Sequence, residues 1–171
     1  MRFLGPGSIS SILKIALDAV YYAVFALLAA LCVAILTLLS VPALAEQVTA
    51  RVQVDMDASD QVLLLLIFGL ALNGYLVIVL WMRQVFRTLA EGDVFHPANV
   101  WRLRLIGIAL GVLEIYSYLS RTLVEALLNM PVEPVYGMRA VTAWVSVLVV
   151  FVLAEVFKEG ARLRAEANLT I

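Results

Sequence analysis

Four long apolar segments dominate this chain of 171 residues and restrict what it can fold into. Residues 19–41 carry no charged side chain, and neither do residues 62–82. Each of these segments is long enough to cross a hydrocarbon core of about 30 Å as a helix that rises about 1.5 Å per residue. Two further segments, 105–130 and 140–157, are also long and apolar but contain a few charges. The sequence therefore predicts a polytopic membrane protein with four transmembrane helices.

The composition favours the same fold class. Apolar residues make up 64% of the chain, whereas soluble domains contain about half. We expect one all-α domain, a bundle of four antiparallel transmembrane helices with a small periplasmic loop cap. In this cap, residues 51–55 alternate between polar and apolar types, which is compatible with a short strand. With their cytoplasmic extensions, the expected helices cover residues 15–41, 62–90, 98–129 and 138–165.

Positive charges are distributed unevenly between the two ends of these helices. Nine Lys and Arg residues lie in the N-terminus, the second loop and the C-terminal tail, against one in each of the other two loops. Since basic loops stay in the cytoplasm, we predict a multi-pass membrane protein with both termini cytoplasmic. This topology accounts for the basic residues. We therefore expect contact with the lipid bilayer and no direct contact with nucleic acid.

The residues Ala43-Leu44-Ala45, which follow the first apolar run, are similar to a signal-peptide cleavage site. The apolar run is longer than the core of a secretory signal, which has about 7 to 15 residues. We therefore expect the first helix to be retained. Cleavage after Ala45 is the alternative.

No sequence motif indicates catalysis, a cofactor or a metal site. Cys32 and His96 are the single cysteine and the single histidine of the chain, whereas a zinc site needs about four ligands. The sequence also lacks a glycine-rich phosphate loop and a G-x-S-x-G motif. These motifs would have indicated nucleotide binding or a serine nucleophile. We therefore expect a non-enzymatic protein without a cofactor or a bound metal.

The third span carries a polar face inside the membrane. At 100° per residue, Glu114, Arg121 and Glu125 fall within about 40° of one another, with Ser117 and Tyr118 nearby. Arg121 and Glu125 lie near the outer boundary of the bilayer. Glu114 lies close to the midplane, where an ionised side chain costs at least about 2.5 kcal/mol. We expect this polar face to point into the bundle.

Glu114 therefore requires either a hydrogen-bonding partner or a proton. Asn73, in the second span, reaches a similar depth from the opposite direction, and Gly69 and Gly74 beside it allow close helix packing. We expect a hydrogen bond between Glu114 and Asn73, with Glu114 largely protonated. Two interpretations of Glu114 stay open, a polar contact that fixes the order of the helices and a proton or cation site. Because four helices enclose little space, a transport path would require a homo-oligomer.

The second loop and the tail, both expected in the cytoplasm, are the most distinctive segments of the chain. We expect Gly92 to end the second helix, Pro97 to begin the third and Phe95 to fold back between the helix ends. The tail continues the fourth helix with ion pairs on its surface and ends on apolar residues, so it should dock onto the loop or onto a partner. The candidate partner-binding residues are Gly92, Phe95, Asn99, Gly160, Leu169, Thr170 and Ile171.

The same two segments carry a resemblance to a known family. The matching positions are the loop residues Phe86, Leu89, Gly92, Phe95, Asn99 and Leu103-Arg104, and the ending Val156-Phe157-Lys158-Glu159-Gly160 through Leu169-Thr170-Ile171. With these residues the chain resembles the YoaS-like family of small bacterial membrane proteins, domain of unknown function family 2975. Members often end in an Asn-Asp-Leu-Thr pattern, whereas this chain reads Ala167-Asn168-Leu169-Thr170.

The resemblance implies a partner but no reaction. The family has no established biochemical activity, and its members are often encoded beside small helix-turn-helix regulators of the Cro and C1 type. This association suggests a membrane adaptor or sensor that holds or releases such a regulator through the loop and the tail. The alternative, from a different functional class, is a small transporter or proton-coupled subunit that uses Glu114.

Overall fold

The computed structural model describes residues 9–41, 43, 56–130, 132 and 138–169. These residues form four helices, α1 (Ile9–Ser40), α2 (Ala58–Ala90), α3 (Pro97–Leu128) and α4 (Met138–Leu169). Each helix contains a segment that is long and apolar enough to cross a membrane. The predicted all-α class with four membrane-spanning helices is confirmed. The expected strand at residues 51–55 and the alternative cleavage site after Ala45 lie outside the described residues.

The helices extend beyond the hydrocarbon core. Each has 32 or 33 residues and is therefore about 48 to 50 Å long, whereas the core is about 30 Å thick. α2 begins at Ala58, four residues before the expected position 62. Its start is stabilised by the backbone N–H groups of Asp60 and Gln61, which donate to the Asp57 carbonyl, and by the Asp60 carboxylate in the first turn.

Helices that follow one another in the sequence pack against each other. α1 contacts α2, α2 contacts α3, and α3 contacts α4. Among the described residues, the backbones of α1 and α4 do not come into contact, and neither do those of α2 and α4. The bundle is therefore open, with α1 and α4 at its two edges and α2 and α3 between them.

The hydrophobic core lies towards the end of the bundle that carries the α2–α3 loop. Its most buried side chains are Ile78 of α2, Leu103 and Ile106 of α3, and Ala154 of α4. Close approach of α2 and α3 depends on Gly74, because a Cβ atom at that position would lie 2.5 Å from the Leu113 side chain. Three helices therefore meet at this end of the molecule.

The α2–α3 loop is a tight connection with defined helix caps. Gly92 has a φ of 86°, a left-handed conformation that glycine adopts without strain. The backbone N–H of Ala98 donates to His96 Nδ1 at 3.1 Å, so His96 caps α3, and Pro97 occupies the first helical position. The predicted roles of Gly92 as a helix end and Pro97 as a helix start are confirmed.

Candidate functional site

The α2–α3 loop packs against the last turns of α4. The Phe95 ring lies so close to Gly160 that a Cβ atom at position 160 would collide with two of the ring carbons. The same ring meets the Phe157 ring edge-on, with the ring centroids 5.8 Å apart. Arg164 donates a hydrogen bond to the Asp93 carboxylate. We call these five residues, Asp93, Phe95, Phe157, Gly160 and Arg164, the loop–helix clasp.

Asn99 fixes the position of the α2–α3 loop through hydrogen bonds of its buried side chain. Its side chain has no exposed surface, and its amide donates to Thr88 Oγ1 at 2.6 Å and to the Val94 carbonyl at 3.4 Å. Asn99 Oδ1 accepts a hydrogen bond from Arg102 Nη1 at 3.0 Å. Asn99 therefore joins α2, the loop and α3, and it does not itself offer a surface to a partner.

The C-terminal turns of α4 form a charged surface next to the clasp. Arg162 pairs with Glu159 at 2.6 Å and with Glu166 at 3.5 Å, which confirms the ion pairs predicted on the surface of the tail. Among these charges, the side chains of Leu163 and Leu169 are 54% and 88% exposed. The candidate binding residues Thr170 and Ile171 lie outside the described residues. We call Phe95, Glu159, Arg162, Leu163 and Leu169 the docking surface.

The polar face of α3 is directed towards α4. Gly107 lies under the ring of Phe151 of α4, to which a Cβ atom would approach within 3.1 Å. Glu114 is seven residues later and therefore on the same face of the helix. One turn further on, the Tyr118 side chain interacts with Glu114 and with Trp144 of α4.

The predicted hydrogen bond between Glu114 and Asn73 is wrong. Asn73 is exposed, and its side-chain amide donates to the Gly69 carbonyl of its own helix at 2.9 Å. Gly69 faces Leu31 of α1, whereas Gly74 faces α3. At about 100° per residue, Asn73 points about 40° from Gly69 and about 100° from Gly74. It therefore lies nearer the α1 side of α2 and away from Glu114, although the two residues lie at similar depth.

Three other residues, Ser117, Arg121 and Glu125, belong to the intramembrane polar cluster predicted from the sequence. Arg121 is half-buried and interacts electrostatically with Tyr118, so it belongs with Glu114. Ser117 is half-buried, while Glu125 is exposed near the C-terminal end of α3. No group of three or more His, Cys, Asp or Glu side chains that would suit a metal ion occurs in the described part of the chain.

Two ion pairs that the sequence analysis did not predict connect neighbouring helices at the clasp end. Arg83 Nε donates to Asp18 Oδ1 of α1 at 2.6 Å, and the Arg83 guanidinium lies 4.4 Å from the centre of the Tyr21 ring. Arg104 of α3 donates to Glu155 of α4. In the sequence, the members of each pair lie at the ends of neighbouring spans or within one turn of them, on the same predicted side of the membrane. This arrangement was the signal that could have indicated both pairs.

Four helices that can each span a membrane, each packed against the next in the sequence, define an integral, multi-pass membrane protein. Residues 19–171 match a family model described as Protein of unknown function (DUF2975). The chain belongs to this family, which confirms the resemblance of the loop and the tail. No curated protein and no solved structure matches the chain.

Proposed function

We propose that this protein is a non-enzymatic adaptor or sensor of the bacterial inner membrane that binds a cytosolic partner through its docking surface. The partner that the family resemblance suggests is a small helix-turn-helix regulator. The observation that carries the proposal is the extension of α4, which has 32 residues where about 20 are enough to cross the bilayer. The extension is held against the α2–α3 loop by the clasp. A partner would therefore meet a fixed surface.

The distribution of charge supports a cytoplasmic position for the docking surface. The described basic residues near the clasp end outnumber those at the other end, where Arg121 and Arg139 lie. Basic segments next to a membrane-spanning helix stay in the cytoplasm. The basic residues near the clasp end are Arg83, Arg87, Arg102, Arg104, Lys158, Arg162 and Arg164.

The chemistry of the docking surface favours a protein partner. Leu163 and Leu169 are exposed in the last turns of α4, where the other exposed residues from Lys158 onward are mostly charged. Exposed apolar groups rimmed by polar residues are typical of protein interaction sites. The charge of Arg162 is compensated by Glu159 and Glu166. A surface of balanced charge is suited to a protein and has little attraction for a nucleic-acid backbone.

Glu114 supports a second candidate function, that of a small transporter or proton-coupled subunit acting as a homo-oligomer. An acidic residue within a membrane-spanning helix commonly marks an ion or proton pathway, and Glu114 has Tyr118 and Arg121 close by. The same contacts also suit a purely structural role, because Tyr118 reaches Trp144 of the neighbouring helix. The adaptor function explains more features of the structure than the transporter function does, since it involves the clasp, the loop and the extension of α4.

An affinity pull-down from detergent-solubilised native membranes tests the proposed adaptor. The intact chain is compared with a chain that lacks residues 168–171, and Glu114→Gln serves as the matched control. We expect a cytosolic DNA-binding protein to be recovered with the intact chain and with Glu114→Gln, and to be lost on truncation. Recovery that does not depend on the tail, or no recovered partner at all, would contradict the adaptor. Loss of ion flux in Glu114→Gln would instead support the transporter.

A further inference from the structure

An apolar cavity of about 280 Å³ lies between three helices in the clasp half of the molecule. Its floor is formed by α3, and α2 and α4 form its two walls. The lining exposes no polar surface. The lining residues are Ile78, Met82, Val85, Phe86, Leu89, Leu103, Ile106, Leu110, Val150, Leu153 and Phe157.

It is unfavourable for this cavity to stay empty or to be filled with water. Protein interiors are close-packed, and the walls of an empty space lose dispersion contacts on that side. A buried water molecule needs about two to four polar partners, and this lining offers none. An apolar molecule that can adapt its shape is the chemically appropriate occupant.

The shape and position of the cavity favour a lipid acyl chain. Its lining extends from Ile78 to Leu89 along α2, a distance of about 16 Å, so the cavity is elongated along the helices. The backbones of α2 and α4 are not in contact in the described residues, which leaves the side opposite α3 open to the bilayer. A slot parallel to the helices and open to lipid has the orientation of an acyl chain in a membrane.

The charge at the clasp end of the slot favours an anionic headgroup. Arg102 directly precedes the floor residue Leu103, is half-buried and donates to Asn99. Within the described part of the chain, no carboxylate lies within 4 Å of Arg102. A guanidinium has five N–H donors and binds phosphate through two of them at once. The other described basic residues near this end have carboxylate partners, and these residues are Arg83, Arg87, Arg104, Lys158, Arg162 and Arg164.

We propose that this slot binds one anionic phospholipid from the leaflet at the clasp end. Its acyl chain lies along Ile78, Ile106 and Phe157, and its phosphate group meets Arg102. The bound lipid completes the packing between α2 and α4, which do not touch through their backbones. The site shares Phe157 with the clasp, but it includes none of the residues of the docking surface.

Native mass spectrometry of the purified full chain tests this site, with phosphatidylglycerol as the probe and phosphatidylcholine as the neutral comparison. We expect one phosphatidylglycerol molecule to be retained more strongly than phosphatidylcholine. Arg102→Gln should reduce this preference about tenfold, which corresponds to about 1.4 kcal/mol, because the charge-assisted hydrogen bonds to the phosphate are lost. Leu153→Trp, which fills the slot from its half-exposed rim, should reduce the retention of both lipids.

The control variant is Leu119→Trp, whose side chain is 58% exposed and lies on the face of α3 opposite the slot. This variant should bind lipid like the intact chain. Equal retention of the two lipids by the intact chain would overturn the proposal, as would lipid binding that Arg102→Gln and Leu153→Trp both leave unchanged. A lipid-free dimer that Leu153→Trp dissociates would also overturn it, because the slot would then accommodate a second copy.

Discussion

Asn99 connects three parts of the chain through a single buried side chain. Its amide bonds to Thr88 and to the Val94 carbonyl, and its Oδ1 atom accepts from Arg102. Losing one member of such a group leaves other buried polar atoms without a partner, and that desolvation is what makes the loss costly. At the residue scale, the conformation of the loop therefore depends strongly on this one position.

The first prediction compares Asn99→Ala with Asn73→Ala. Asn99→Ala should lower the free energy of unfolding by about 1 to 3 kcal/mol, because Thr88 and Val94 lose a buried partner. Asn73→Ala should change it by no more than about 0.5 kcal/mol, since Asn73 is exposed and bonds only within its own helix. Unfolding in detergent, followed by the fluorescence of the three tryptophans, measures both. Equal effects would contradict the assigned role of Asn99.

The second prediction concerns the contact between Phe95 and Gly160. Gly160→Ala should destabilise the protein by about 1 to 3 kcal/mol, because the added methyl group would displace the Phe95 ring. In the matched variant Gly111→Ala, nothing lies within 4 Å of the new Cβ atom. That variant should be neutral or more stable by up to about 1 kcal/mol, from the higher helix propensity of alanine.

A double variant isolates the steric origin of this effect. Combining Gly160→Ala with Phe95→Ala removes the ring with which the methyl group collides. Phe95→Ala should therefore lower the free energy of unfolding less in the Gly160→Ala background than in the intact chain. The same unfolding experiment measures this coupling. Additive effects of the two substitutions would contradict direct contact between these positions.

At the scale of the helices, lengths and ends follow from local sequence, whereas the direction in which each face points does not. The apolar runs predicted four spans, and Gly92 and Pro97 marked two helix boundaries because their backbone preferences are intrinsic. The predicted hydrogen bond between Asn73 and Glu114 rested on their similar depth and on the glycines beside Asn73, and it is wrong. The depth of a residue in the membrane follows from its position along one helix. The direction in which its side chain points around the helix axis depends on how that helix packs against its neighbours. Gly69 and Gly74 lie on the same helix but face different neighbours.

The third prediction is that the ion pair between Asp18 and Arg83 stabilises the contact of α1 with α2. The two side chains are only 31% and 27% exposed. A double-mutant cycle with Asp18→Asn and Arg83→Gln should therefore give a coupling energy of about 1 kcal/mol. The matched pair Arg87 and Glu91 is much more exposed, and its coupling should be at most about 0.5 kcal/mol. Equal coupling in the two pairs would contradict a special role for Asp18.

At the scale of the whole molecule, the open arrangement of the helices was not predictable from the sequence. An apolar helix face is covered equally well by another helix or by lipid, so hydropathy does not distinguish a closed bundle from an open one. The sequence does predict the orientation of the protein in the membrane, because basic residues are in excess at one end of the helices. Orientation, in turn, determines which compartment the docking surface faces.

The fourth prediction tests this orientation with single cysteines in a Cys32→Ala background. Glu91 and Asp57 are exposed at opposite ends of α2. In intact spheroplasts, a membrane-impermeant maleimide should label Asp57→Cys directly and Glu91→Cys only after lysis. The reverse pattern would place the clasp outside the cytoplasm and would contradict the proposed orientation.

We propose that the extension of α4 presents a surface to a soluble protein. Site-specific photo-crosslinking in living cells detects such a contact. A photoreactive residue would replace Leu163 or Leu169 of the docking surface, with Leu119, on the lipid-facing side of α3, as the control position. We expect a crosslink to a cytosolic protein from positions 163 and 169 but not from position 119. Crosslinks from all three positions only to lipid or to further copies of the chain would contradict it.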